Sequence, residues 1–127
     1  MDKYISTVII DDNEMTRELL RTALRNDGYQ VLGEATDGVS GLEMILRAKP
    51  DVVFLDVLMP GASGLEILQQ VRKALPRCAV LMVTGSSDRE TVQTALARGA
   101  HGFILKPFNT ATVLKTTEAA LNRARGL

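Results

Sequence analysis

The sequence contains no tryptophan, one cysteine, one histidine, three Phe and two Tyr. A single cysteine, Cys78, excludes an internal disulfide and suits a reducing compartment. The few aromatics leave little with which to stack a flavin ring. No charge of one sign dominates: 15 Lys and Arg stand against 15 Asp and Glu. That balance argues against direct nucleic-acid binding and against an anionic membrane surface, both of which call for a basic excess. No apolar run approaches the roughly 20 residues needed to cross a bilayer. The opening Met1-Asp2-Lys3-Tyr4 does not start a secretory signal. A soluble cytoplasmic protein is expected.

What is present is a core. Apolar residues make up 46% of 127 positions, enough to fold one domain over residues 1–127. Its central stretch is Val52-Val53-Phe54-Leu55-Asp56-Val57-Leu58-Met59-Pro60-Gly61. The first four residues read as a strand buried on both faces. Asp56 interrupts the apolar run, and Pro60-Gly61 turns the chain. A carboxylate at the end of a buried strand is costly unless something pairs with it.

The remaining segments alternate around this one. Thr7-Val8-Ile9-Ile10 predicts a first strand, ending in Asp11-Asp12. Asn13 or Asp12 caps a helix with Met15, Leu19, Leu20, Ala23 and Leu24 inward, and Gly28 stops it. Tyr29 to Ala35 is more mixed in polarity, as an edge strand should be. Asp37 or Ser40 opens a second helix with Leu42, Ile45 and Leu46 inward, ended by Pro50. Ser63 opens a third with Leu65, Leu68, Val71 and Leu75 inward, closed by Pro76. Cys78 leads as a small hydrophobe into a buried strand at Ala79 to Val83, followed by Thr84-Gly85-Ser86-Ser87. Asp88 caps a fourth helix with a thin apolar face of Val92, Ala95 and Leu96, ended at Gly99. Gly102-Phe103-Ile104-Leu105 is a fifth strand, ending in Lys106-Pro107. Asn109 or Thr110 caps a last helix carrying Val113, Leu114, Thr117 and Leu121.

Five strand–helix units in strict alternation predict an α/β fold: a doubly wound five-stranded parallel sheet with five helices, flavodoxin-like. Right-handed crossovers leave few topologies. In such a sheet all strands end at one edge, and ligands bind there where strand order reverses. Four of the five strands end in a functional group: Asp11 and Asp12, Asp56, Thr84, and Lys106. The second strand offers only Glu34 and Ala35. In the order 2-1-3-4-5, Asp11, Asp12 and Asp56 meet at the centre, flanked by Thr84 and Lys106. Singly, each has a structural explanation as a cap, a turn residue or a solvated charge. Jointly they describe a site. Three carboxylates repel unless a cation binds, and an oxygen-only set selects a hard ion such as Mg²⁺. An Asp oxygen can then act as nucleophile toward phosphorus, with Lys106 and Thr84 contacting the phosphoryl group.

These residues resemble the receiver domain of two-component response regulators, of the chemotaxis response regulator type. The resemblance rests on Asp11-Asp12, on Asp56 followed by Met59-Pro60-Gly61, on Thr84 and on Lys106-Pro107-Phe108, and covers essentially the whole chain. The strand order is taken over with it. The resemblance implies a single receiver domain in which Asp56 accepts a phosphoryl group from a histidine kinase or histidine phosphotransfer protein. Asp12, Asp56 and the Leu58 carbonyl would ligate Mg²⁺, with Asp11 acting mainly through water. Thr84 and Phe103 would form the switch, and the Lys106-Pro107 bond would be cis. The face of helix four, strand five and helix five would engage a downstream protein. The chain would be a monomer or a weak phosphorylation-dependent dimer. As an enzyme it would at most phosphorylate itself from phosphodonors and dephosphorylate itself.

Three other readings compete. A flavodoxin-like FMN carrier needs a phosphate loop after strand one, where Asp11-Asp12-Asn13-Glu14 would repel phosphate. An aspartate-based phosphatase of the haloacid dehalogenase type carries Asp-x-Asp there and usually a cap domain. A receiver fold can also serve as a phosphorylation-independent scaffold. His101, in a short turn, reads as a solvated loop residue and not as a phosphodonor.

Overall fold

A computed structural model describes residues 4–85 and 89–126. The Asp88 cap expected for the fourth helix, with Ser86 and Ser87, lies outside the described residues, as does the Met1-Asp2-Lys3 start. Among the described residues the elements alternate as β1 (Ser6–Ile10), α1 (Glu14–Asn26), β2 (Gln30–Ala35), α2 (Gly38–Ala48), β3 (Val52–Leu55), α3 (Gly64–Ala74), β4 (Ala79–Thr84), α4 (Arg89–Ala97), β5 (Gly102–Leu105) and α5 (Thr110–Ala124). All strand pairs are parallel, in the order β2-β1-β3-β4-β5. The β1 and β3 pair is therefore the point where the winding reverses. No helix among the described residues is long and apolar enough to cross a membrane.

Strand alternation sorts the core into two layers. Val8, Ile10, Val53, Leu55, Val80 and Met82 face α2, α3 and α4 and pack with Ile45, Leu68 and Ala95. Ile9, Phe54, Leu81, Val83 and Ile104 face the other way, onto Leu20 and Leu24 of α1 and Val113 and Leu121 of α5. Each fully buried Ile, Leu or Phe contributes about 1.5–3 kcal/mol of transfer free energy. Cys78 lies in the first layer. Burial, with Asp51 acting in the same direction, pushes its thiol up to about 12, so it stays neutral.

The helix starts follow local chemistry. Asn13, Asp37, Ser63 and Asn109 each accept a backbone N–H from the first turn of α1, α2, α3 and α5. The inward faces depart from the sequence pattern in α1, α2 and α4. Met15 and Leu19 are exposed, and Thr16 takes the inner position beside Leu20, Ala23 and Leu24. Both stripes have helical spacing, and one residue of offset turns a side chain by 100°. Leu46 is likewise exposed, because α2 lies on the sheet through Gly41 and Ile45, with Gly38 against Ala62. A Cβ on Gly41 would stand 2.7 Å from Ile10 Cγ2. In α4 Leu96 is exposed and only Ala95 is buried among the described residues.

His101 is half-buried and belongs to the sheet's architecture, not to solvent as its turn suggested. Its Nδ1 accepts the Val80 N–H at 3.0 Å, and its carbonyl accepts Arg123 Nη1 at 2.7 Å. Its own N–H donates to the Val80 carbonyl at 2.8 Å. A protonated ring has no acceptor at Nδ1. Burial lowers its pKa, and the positive charges of Arg72 on α3 and Arg123 on α5 lower it further. The unfolded chain therefore takes up the proton first as pH falls. This contribution to stability is present above the ordinary value of 6.5 and is lost as pH falls through the folded value. Wild type should lose melting temperature between about pH 7.5 and about pH 5.5. His101→Asn, whose Oδ1 keeps an acceptor for Val80, should lose less. Parallel pH profiles of the two proteins would rule this out.

Candidate phosphoacceptor and metal site

The sheet's ladder carries on past the strand ends and thereby sets the site. Asp11 follows β1 and donates its N–H to the Ala35 carbonyl at 3.0 Å. Asp56 follows β3 and donates its N–H to the Ile10 carbonyl at 3.0 Å. Lys106 follows β5 and donates its N–H to the Thr84 carbonyl at 2.9 Å. Each functional residue thus sits one step beyond a strand, held by its neighbour's backbone. Parallel register does what the sequence alone only suggested.

Asp11, Asp12 and Asp56 each bring one carboxylate oxygen within 4.8 Å of the others. Asp11 and Asp56 are buried, and Asp12 is exposed. Lys106 Nζ stands 2.9 Å from Asp11 Oδ2 and 3.3 Å from Asp56 Oδ2. The Leu58 N–H donates to Asp56 Oδ1 at a long 3.4 Å, while its side chain is exposed. Burial raises the Asp56 pKa above the ordinary carboxylate value, and the negative charge of Asp11 raises it further. Lys106 and the Leu58 N–H oppose that shift without cancelling it. For Lys106, burial pulls the pKa down, but the hydrogen-bonding and charge of Asp11, with Asp56 behind it, outweigh burial and raise it. The carboxylates thus favour the charged form of Lys106, while Lys106 only partly offsets the cost of ionising Asp56.

The donor set fits a hard divalent cation. Three formal negative charges face one lysine. All three ligand atoms are oxygens, with no histidine or thiol among them. Asp11 Oδ2 is fully buried, and the Lys106 ammonium at 2.9 Å is its one close cationic partner among the described residues. A carboxylate oxygen with one such partner keeps a lone pair for an ion or its water shell.

Thr84 is buried at the end of β4, in register with Leu105. Phe103 is partly buried and packs against the layer formed by α2, α3 and α4. The Lys106–Pro107 peptide is cis. Among the described residues, a Cβ on Gly85 would meet nothing within 4 Å. Exposed Met15 and Leu19 join Pro107 and Phe108 around a cleft of about 350 Å³ next to Lys106.

Three further residues shape the site. The N-terminus of α3 presses on Asp56, and a Cβ on Gly64 would collide with the Asp56 carbonyl and stand 2.8 Å from Val57 Cα. Its signal was a glycine directly after the Ser63 cap, where a helix former is expected. Arg17 donates to the Asp11 carbonyl at 2.7 Å and pairs with Glu34 at 3.3 Å. Glu34 was legible as a strand-end residue, but nothing in the sequence coupled it to Arg17.

Fold and edge cluster together define a class: a doubly wound domain with an acidic pocket and a lysine at the switch point. The family model for the response regulator receiver domain matches residues 7–118, and the chain belongs to that family. The chemotaxis protein CheY-3 of Vibrio cholerae is 32% identical over 125 residues, covering 97% of this chain and 96% of that one. A cyclic di-GMP phosphodiesterase of Thermotoga maritima is 36% identical over 120 residues; this chain spans 32% of its length. A CheY-like receiver structure from Methanospirillum hungatei matches with a TM-score of 0.90 at 26% identity, covering 98% of both chains. A CheX–CheY–BeF₃–Mg²⁺ complex from Borrelia burgdorferi matches with a TM-score of 0.87 at 26% identity, covering 91% of this chain and 87% of that one. Receiver domains of this family bind Mg²⁺ at an acidic pocket and interact with kinases or phosphotransfer proteins.

The raised Asp56 pKa has a consequence for stability. A group whose folded pKa is raised stabilises the fold below its unfolded value and loses that contribution as pH rises through the folded value. At neutral pH the ionised Asp56 is thus a net cost to the fold. Asp56→Asn without divalent ions should melt a few degrees higher than wild type. Added Mg²⁺ should raise the wild-type melting temperature and leave the variant nearly unchanged. A lower melting temperature for metal-free Asp56→Asn would contradict the electrostatic account.

Proposed function

We propose that this chain is a phospho-accepting receiver of a two-component system, with Asp56 as the residue phosphorylated. The observation that carries the reading is the convergence of Asp11, Asp12 and Asp56 within 4.8 Å, with Lys106 paired to two of them. The donor is a phosphohistidine on a separate kinase or phosphotransfer protein. An Asp56 carboxylate oxygen attacks phosphorus; the P–O bond forms as the P–N bond to imidazole breaks, leaving an aspartyl phosphate. Asp12, Asp56 and the Leu58 carbonyl would hold Mg²⁺, with Asp11 acting mainly through water. The ion, when bound, offsets charge on the transferring phosphoryl group. Lys106 exchanges its contact with Asp56 for a phosphoryl oxygen, and the Thr84 hydroxyl donates to another.

Family membership favours this over the flavodoxin and dehalogenase-type readings. The scaffold reading retains the fold but has no use for a buried carboxylate pair with a lysine. The single buried thiol and balanced charge support a cytoplasmic protein without direct contact to nucleic acid. We take residues 1–127 as one receiver unit, monomeric or weakly dimeric when phosphorylated.

Output follows from α4. It buries only Ala95 among the described residues, so its rearrangement costs little. Phosphorylation draws Thr84 toward the phosphoryl group, Phe103 turns inward into the space behind it, and the face of α4, β5 and α5 changes for a downstream protein.

Intact-mass analysis after incubation with acetyl phosphate and Mg²⁺ tests the site. One added phosphoryl group, dependent on metal and absent from Asp56→Asn, is expected. No adduct and no beryllofluoride binding by the folded protein would sink the reading. Amide exchange tests the switch: beryllofluoride should change protection in α4 and at Gly85 more than in α1 or α2. Unchanged protection there would refute the switch while leaving the phosphoacceptor standing.

A further inference from the structure

Strand β2 ends without a group in the acidic cluster, yet Glu34 there is not idle. Its Oε1 stands 3.3 Å from Arg17 Nε, and its Oε2 takes Arg21 Nη1 at 2.5 Å. Arg17 in turn donates Nη1 to the Asp11 carbonyl at 2.7 Å. The side chains of Arg17 and Glu34 are 15% and 20% exposed, so solvent does not replace these contacts freely. Asp11 is thereby held from three sides: its N–H by Ala35, its carbonyl by Arg17, and its Oδ1 by the Asn13 N–H at 2.8 Å. Asp12 follows the same peptide, but its side chain is exposed. The direction in which Asp12 leaves the backbone is set by the Asp11–Asp12 peptide plane and by the Asn13 cap.

We propose that Arg17, braced by Glu34, is a positioning residue for the divalent-cation site: it fixes the Asp11–Asp12 peptide so that the Asp12 carboxylate meets that of Asp56. The inference rests on the metal-site reading above and adds residues to it. Two effects of Arg17 on a cation oppose each other. Its charge repels the ion, and its hydrogen bond organises the ligands. Glu34 at 3.3 Å, which it shares with Arg21, offsets part of the field of the guanidinium, while nothing else among the described contacts holds the Asp11 carbonyl. Organisation therefore outweighs repulsion.

The test is a Mg²⁺ titration followed by backbone amide chemical shifts at Asn13 and Leu58, on wild type, Arg17→Met, Arg17→Lys, Glu34→Gln and the double variant Arg17→Met/Glu34→Gln. Arg17→Met should weaken Mg²⁺ about tenfold, as outer partners of metal ligands commonly do. Arg17→Lys should recover part of that loss. The double variant, which removes both charges, should stay as weak as Arg17→Met. With saturating Mg²⁺ the rate of phosphorylation by acetyl phosphate should return to near the wild-type value in Arg17→Met, a recovery that general destabilisation would not produce. Tighter binding by Arg17→Met, or wild-type binding by the double variant, would overturn the proposal, because charge alone would then account for the residue. If Arg17→Met does not fold, isosteric Glu34→Gln and Arg17→Lys decide: wild-type affinity in both overturns it. Failure of wild type itself to bind Mg²⁺, or equal binding by Asp56→Asn, would instead remove the metal site and this inference with it.

Discussion

The burial of two carboxylates, Asp11 and Asp56, against one lysine is the constraint to which the rest of the chain answers. Ionised carboxylates away from water and near each other cost several kcal/mol unless compensated. Lys106 compensates in part, from 2.9 Å and 3.3 Å. It reaches that position because β5 is tied to β4, and β4 to β3, in a parallel register that ends all three strands together. The apolar layers on both sides of the sheet supply the free energy that keeps this arrangement in place. Fold and site are thus linked through a single electrostatic debt.

The same constraint explains why backbone dominates the geometry. Asp11, Asp56 and Lys106 are each anchored by an amide that donates to the neighbouring strand. Such bonds leave little freedom for the side chains that follow. Gly64 extends the principle, since only a residue without Cβ lets α3 start directly against the Asp56 carbonyl. Arg17 and Glu34 extend it again, by tying the loop after β1 to the edge strand β2. Helix α4 is held far less firmly, with one buried side chain among the described residues.

Competition between similar stripes explains where helix faces escaped sequence reading. Met15 and Leu19 are as apolar as Leu20 and Leu24, and both pairs recur at helical spacing. The choice between them rests on which stripe β1 and β2 leave room for, and Thr16 was small enough to enter. Leu46 lost its place for the same reason, because Gly41 brings α2 so close to Ile10 that no larger neighbouring stripe fits. The exposed Met15 and Leu19 then lie beside Pro107 and Phe108 at the rim of the site.

By itself the sequence determined the strand–helix alternation, the core strands and the residues at the strand ends, because these are written in local periodicity, caps and turns. It made Asp11, Asp12, Asp56, Thr84 and Lys106 legible as a set through their shared place after each apolar run. Tertiary structure decided what depends on distance across the sheet. His101, alone in a turn, became a hydrogen-bond acceptor for Val80 only when β5 was laid beside β4. Glu34, which marked a strand end with no evident task, gained Arg17 and Arg21 only when α1 packed over β2. Such pairings join residues that are far apart in sequence and carry no local signature, so no window along the chain contains both partners.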